Sequence, residues 1–502
     1  MAAARALVCA LVLLLACTAS ASAKTAPGAW PKLKSIKHLH FETKPIVVKP
    51  GQNSIDNVFV PGDQKPSVDG YIVRARPDLR YVNGKVPPVD VIHLHHGVWL
   101  NVSGTSPAAP IGNIEPIFFG GEEKTVFRIP RGYGYAYKKS DTWMLNQMIH
   151  NNTPNRTKVK LVWDLDFIPA SSRLARKVKP VTPMWMDVRR GWAYPVFDVV
   201  RGRGGSDGRG SFTFPDQATP DPYAGGTVQN EYTMPFDGTA VAAVGHLHPG
   251  GLRDDVYSIR GGVTKRIFRS QAKYYDPAGP VSWDVSLTAS RSDWRVLLRK
   301  GDTLRISATY EDAKSSWYEN MGIVLLFVAR GDSSGRDPFT DTVNWRGVLT
   351  HGHLAENDNH GGGRAVLPDP RKASDGPVTQ EVRISDFQFL PGDLGLLFGN
   401  DRIPVVPQGQ SLAFVNQDDP NVEWHSITTC AAPCNRATGI SYPLANGTFS
   451  TQFDSGQLGF GPPGASPATG SLTWKTPSNL GPGTYTYFCR VHSFMRGAFR
   501  VK

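Results

Sequence analysis

From about Val47 to Val366 the apolar residues come in short runs or alternate with polar ones, as in Thr125-Val126-Phe127-Arg128-Ile129 and Val159-Lys160-Leu161-Val162-Trp163. Clusters of Gly, Pro and Asp separate these runs, which predicts β-strands joined by turns. The pattern lapses at Gly361-Gly362-Gly363 and at Pro368, Asp369, Pro370 and Asp375, and resumes at Gln380 to Ile384, Ser411 to Val415 and Thr484 to Phe488. No fixed-period repeat and no heptads interrupt it. With 51 glycines and 40 prolines to break helices and supply turns, the chain reads as all-β. Its 502 residues exceed what one hydrophobic core serves. The glycine-rich stretch from Arg201 to Gly210 offers a seam, so the expected division is a leader over 1–23, β-sandwiches over 24–205 and 206–366, a linker over 367–377 and a further domain over 378–502.

The first residues carry Arg5, an apolar run from Ala6 to Ala16 and Ala21-Ser22-Ala23 before Lys24, the anatomy of a secretory signal peptide. Leu14-Leu15-Ala16-Cys17 also fits a lipid-attachment site, which would leave the exported protein anchored through Cys17. No later segment reaches the roughly 20 apolar residues of a membrane helix. The best, Gly322 to Ala329, stops at Arg330. The net charge of +12 is scattered, with no aromatic-studded basic stripe, which argues against nucleic acid as a partner.

Beyond the leader only Cys430, Cys434 and Cys489 remain. The first two are near enough for a disulfide in an oxidising compartment, and Cys489 escapes oxidation most simply if a metal holds its thiolate. Cys489-Arg490-Val491-His492-Ser493-Phe494-Met495 places a thiolate, an imidazole and a thioether on one loop. A trigonal set of two His and one Cys with a distant Met is the blue-copper arrangement, so a second histidine is needed. His425, after a strand ending near Asn416, can supply it from the same end of a Greek-key sandwich. Residues 378–502 resemble the cupredoxins, especially the plastocyanin and amicyanin kind, which implies a type 1 copper held by His425, Cys489, His492 and Met495. The long insert from Thr429 to Ala468 departs from that family's pattern.

In the larger N-terminal region the chemistry lies in the order of four groups: His95-His96, His150, His246-Leu247-His248 and Met321. His246 and His248 share one face of a strand, a natural pincer for copper or zinc. His95 and His96 point opposite ways unless a bulge turns them, and His93, on the face of His95, is a rival ligand. Two histidines, then one, then His-x-His, then Met resembles the copper type II, ascorbate-dependent monooxygenases, the peptidylglycine α-hydroxylating and dopamine β-monooxygenase family, over about Val47 to Ala329. The resemblance implies two β-sandwich sub-domains with two type II coppers, an electron-transfer copper on His95, His96 and His150 and a catalytic copper on His246, His248 and Met321. The family's disulfides are missing, since no exported cysteine precedes Cys430. His351 and His353, with Glu356, Asp358 and His360, carry enough ligands for an extra metal. His38 and His40 read as part of an adaptable terminal segment, and Asp254 with Asp255 as surface charge.

The functional expectation is a secreted multicopper oxidoreductase, a copper-dependent monooxygenase with a fused blue-copper domain. Its partners would be a small-molecule or peptide substrate and an external electron donor. The competing expectation is a copper-binding, electron-transfer or copper-buffering protein without substrate chemistry, which requires only the C-terminal site.

Overall fold

The structure is a computed structural model that describes residues 29–502 except 53, 90, 104–113, 154, 190–194, 200–209, 217–229, 276–278, 281–282, 314–316, 352–367, 397–401, 421–422, 431, 433, 435–451, 457, 460–470 and 493. The leader with Cys17, nearly all of the seam, His353 and His360 lie outside the described residues. The protein is all-β, its described helical segments being three-residue 3₁₀ turns. Among the described residues no helix is long and apolar enough to cross a membrane.

The first sub-domain pairs a sheet built on Gly70–Tyr81 and Thr157–Pro169 with a four-stranded sheet in the order Ile55–Phe59, Trp143–Asn151, Ile92–Asn101, Glu115–Gly121. Their alternating inward residues make one core around Trp99, Phe118, Trp143 and Trp163. In the second sub-domain Gly238–Leu247 and Gly322–Arg330 pair antiparallel and are buried on both faces. Val324, Leu326 and Val328 face the second sub-domain's own core, while Leu325, Phe327 and Ala329 complete the core of the first. Near-continuous apolar sequence in these strands follows from that double burial.

One strand joins the two sub-domains. Lys179–Val181 pairs in parallel with Tyr133–Tyr135, and from Thr182 to Asp187 the same strand pairs antiparallel with Gly322–Arg330. The chain therefore enters the second sandwich ahead of the glycine-rich stretch. The acids Asp254 and Asp255, expected as surface charge, are buried instead. Asp255 is ringed by Arg253, Arg266 and Arg269, and Asp254 lies behind Gly245 and Gly322. A β-carbon at Gly245 would come within 2.4 Å of Ser270 and one at Gly322 within 2.3 Å of Ala308, so the residues next to His246 and Met321 must be glycine for the sheets to approach.

The C-terminal sandwich has a five-stranded sheet ordered Ser374–Val378, Arg402–Val406, Arg496–Val501, Gly483–Phe488, Thr428–Cys430. A four-stranded sheet lies opposite, ordered Gln388–Leu390, Glu381–Ser385, Ala413–Asn416, Thr473–Lys475. Ser374–Val378 falls in the segment expected to be an irregular linker. It is an edge strand because Arg500 holds Asp375 and the carbonyls of Pro370 and Ala373. Cys430 and Cys434 form a disulfide.

This sandwich is seated on the rest of the molecule. Phe488 is part of the second sub-domain's core, the Arg490 guanidinium lies 5.1 Å above the Trp317 ring, and Phe387 packs on Gly51. Gly51 has φ +61°, and a β-carbon there would fall 2.1 Å from the Phe387 ring, so glycine is required by both conformation and contact.

Candidate metal centres

At the end of Gly483–Phe488 the chain turns so that Cys489 accepts backbone N–H bonds from Ser426, at 3.4 Å, and His492, at 3.3 Å. The Nδ1 atoms of His425 and His492 lie 3.2 Å apart, each 3.9 Å from the Cys489 sulfur. A point about 2.1 Å from all three atoms completes this triangle. That is within the roughly 2.0–2.3 Å at which nitrogen and sulfur hold a first-row ion. All three residues are buried, as is Met495, whose backbone closes the loop by bonding to Cys489 and His492. His425 donates from Nε2 to Asp418 at 2.9 Å, which leaves Nδ1 for the ion. Asp418 is held in turn by the N–H groups of Asp386 and Phe387.

The electrostatics suit a thiolate. Burial alone would raise the Cys489 pKa, but His425 and His492 outweigh it and hold the thiol well below its ordinary value. Burial opposes charge on His425 too, yet Asp418 and Cys489 lift it to about 9. A soft thiolate, two imidazoles and a buried thioether suit copper.

The second group forms where the sub-domains meet. Ile92 and Leu94 face the first core, which sends His93 and His95 to the other face, and His150 is the direct strand partner of His93. The register slips between Leu94 and His96. His93, His95 and His150 offer nitrogen atoms all within 4.8 Å of one another. His95 stacks on His150 with ring centres 4.3 Å apart. The bulge brings His96 within 5.8 Å of His95, ring to ring; its Nε2 donates to Asn146 at 2.9 Å and its Nδ1 is buried without a partner among the described residues, but it stands outside the group formed by His93, His95 and His150. His246 and His248 come from the opposite side, on the face of Gly238–Leu247 that also carries Val244 toward the first core. The His248 ring lies 4.4 Å from that of His95 and 5.3 Å from that of His246. Tyr310 ties the backbones of His248 and Met321, its hydroxyl accepting the His248 N–H and donating to the Met321 carbonyl. The Met321 side chain packs with Val196 and Ile323.

All of these histidines but His150 have a second polar contact; His150, both of whose ring nitrogens are without a partner among the described residues, is placed by its strand partner His93 and by its stacking on His95. His93 donates from Nδ1 to the Val89 carbonyl at 2.5 Å, His248 donates to the carbonyl of Glu319, and His246 Nδ1 lies 3.3 Å from Glu123. His95 Nδ1 lies 3.5 Å from Glu122. The Nε2 atoms of His93, His150, His246 and His248 are buried and have no hydrogen-bond partner among the described residues. Unpaired buried nitrogens are costly, and one Nδ1 tied to carbonyl or carboxylate with Nε2 left open is how a protein presents imidazole to a metal. Burial holds His93, His95 and His96 down at about 3, and His150 and His248 well below their ordinary value, so they are neutral ligands at pH 7. For His246 the effect of burial is outweighed by Glu123, which raises it.

Glu122 and Glu123 had no signal in the sequence beyond following Gly120-Gly121, and they reach the histidines only because the strand Glu115–Gly121 ends beside them. Of the other histidines, His351 is buried at the edge of an undescribed stretch. His38 and His40 are exposed, each bonded to its own acid, Asp166 and Asp164. On these contacts His93→Ala is expected to weaken N-terminal copper binding more than His96→Ala, by at least the 10–100-fold that loss of an outer partner costs. Competitive chelator titration of the two variants checks the order.

The two centres face each other. A cavity of about 80 Å³ is lined on one side by His95, His150, His248 and Trp317 and on the other by Trp424 and His425.

No family model matches the chain, and no curated protein matches it. Solved structures similar to it include the Cu(I) form of an amicyanin variant, at 15% identity over 27% of this chain and 91% of that one, with a TM-score of 0.15. A reduced auracyanin from Roseiflexus castenholzii is 17% identical over 26% of this chain and 99% of that one, with a TM-score of 0.15. A copper-containing nitrite reductase from Thermus scotoductus SA-01 is 15% identical over 52% of this chain, which spans 57% of that one, with a TM-score of 0.16.

Proposed function

We propose that the chain is an exported copper redox protein in which the C-terminal His425, Cys489, His492, Met495 site exchanges electrons with copper held by the histidines of the sub-domain cleft. The observation that carries this reading is the shared cavity, whose walls hold ligands of both groups. Bound copper would supply one-electron chemistry at the first site and dioxygen activation at the second, on His246, His248 and Met321. The protein's own part is positional. Asp418 and the two N–H bonds to Cys489 fix the C-terminal ligands, so that little rearrangement accompanies a change in charge. Trp283, 4.4 Å from His93 ring to ring, with Trp317 and Trp424 lines the gap with aromatic surface and keeps water scarce. The limited volume favours a small substrate over a peptide, and an external donor would renew the electrons.

A second reading, copper storage without substrate chemistry, is favoured by one observation. His95 and His248 lie 4.4 Å apart ring to ring, whereas the monooxygenase likeness implies two coppers facing each other across a cleft. Copper analysis of the loaded protein, with visible and electron paramagnetic resonance spectra, separates the readings. Three coppers, one blue and two type II, with dioxygen uptake on reduction support the oxidase chemistry. A fully loaded but oxygen-inert protein supports storage, and one blue copper alone refutes the N-terminal centres.

A further inference from the structure

Away from the histidines, a cavity of about 290 Å³ opens on the seam between the sub-domains. Its apolar wall comes from both of them and from the segments beside them: Val73 and Ile129 from the first, Val241 from the second, with Trp30 and the strand Val348–Leu349. Val348 and Leu349 are exposed large hydrophobics. The charged part of the lining is mostly cationic, with Arg74, Arg128 and Arg291 against a single carboxylate, Asp166, and Ser290, Ser292 and Thr350 add neutral polar groups. That carboxylate is already engaged by His38 at 2.6 Å, and it meets Arg74 only at 3.5 Å. Arg291 has Asp293 at 3.1 Å. Arg128 makes no hydrogen bond or ion pair among the described residues, and the Nε of Arg74 and the Nε1 of Trp30 are buried donors with no partner there. Arg128 is exposed to the cavity, and partial desolvation, with Arg74 and Arg76 nearby, lowers its guanidinium below its ordinary value against the opposing pull of Asp166.

A surplus of guanidinium donors facing an apolar wall selects a ligand with one anionic end and one hydrophobic end. We infer that this cavity binds a small organic anion, a carboxylate on an apolar body about the size of one aromatic ring, with the anionic end at Arg128 and Arg74 and the body against Val73, Ile129 and Leu349. An inorganic anion would satisfy the arginines but leave the wall wet, and a neutral aromatic would do the reverse. The site is independent of copper and of the function proposed above.

Calorimetric titration of the full exported chain with phenylacetate, its neutral amide phenylacetamide and inorganic phosphate tests it. Phenylacetate is expected to bind at one site per chain with a Kd on the order of 1 mM or tighter, and the amide and phosphate at least about tenfold more weakly. Arg128→Gln should weaken phenylacetate about tenfold or more, as loss of a charge-assisted hydrogen bond does. Leu349→Asp, at a partly exposed position, should do the same through the wall, and an unchanged melting temperature in both variants would show that folding is intact. Equal binding of acid and amide, equal binding of phosphate, no heat from phenylacetate up to about 10 mM, or unchanged affinity in Arg128→Gln would each overturn the proposal.

Discussion

Cys489→Ser protein, loaded with copper, is expected on the function proposed above to lack the intense visible absorption of a blue centre while keeping the copper bound by the N-terminal histidines. The thiolate is one corner of a triangle whose other corners are the Nδ1 atoms of His425 and His492, and it accepts two backbone N–H bonds. Serine keeps the size but supplies a hard, protonated oxygen in place of a soft anion, so both the colour and the preference for copper go. Affinity at this site should fall by more than the 10–100-fold that removing an outer partner costs. The His425 bond to Asp418 is untouched by the change. Visible spectra and copper counts on the variant decide the matter, since retained colour would place the blue centre elsewhere.

The second large effect is expected from His248→Ala. Its ring bridges the two histidine groups, lying 4.4 Å from that of His95 and 5.3 Å from that of His246, and its Nε2 is one of the unpaired nitrogens. Alanine removes that nitrogen and the donor to the Glu319 carbonyl, but leaves the backbone bond to Tyr310 in place. On the function proposed above, dioxygen uptake should fall to the level of uncatalysed reduction and the copper count should drop from three to two. The blue absorption should persist, because no C-terminal ligand is touched. Oxygen electrode traces and copper analysis on one sample check both halves, and unchanged uptake would remove His248 from the reacting centre.

The chain read correctly as all-β because short alternating or apolar runs between turn residues record strands locally, whether one face is buried or, as in Gly238–Leu247 and Gly322–Arg330, both. The C-terminal candidates were suggested by spacing: Cys489, His492 and Met495 sit on one loop, and the structure brings His425, in an isolated bridge to Leu458, within reach of Cys489 and His492. The N-terminal group depends on things no local pattern records. The choice between His93 and His96 turns on a register slip after Leu94, which moves a side chain from one face to the other. Glu122 comes to His95 from the end of the neighbouring strand, and Glu123 comes to His246 across the sub-domain boundary. The glycine-rich stretch drew attention as a seam, yet the crossing is made by Lys179–Asp187, because a strand can leave one sheet for another with no change in composition. The seating of the C-terminal sandwich rests on Phe387 against Gly51 and Arg490 over Trp317, contacts between residues far apart in the chain.

That crossing strand has a mechanical side. Because Lys179–Asp187 is hydrogen-bonded at one end to the first sandwich and at the other to the second, rotation between them would have to break a ladder, so the pair resists hinge bending and should unfold in one cooperative transition. A cut in the glycine-rich stretch would leave this strand with the first fragment and strip Gly322–Arg330 of its neighbour in the second. The bared edge would then be free to recruit a strand from another molecule.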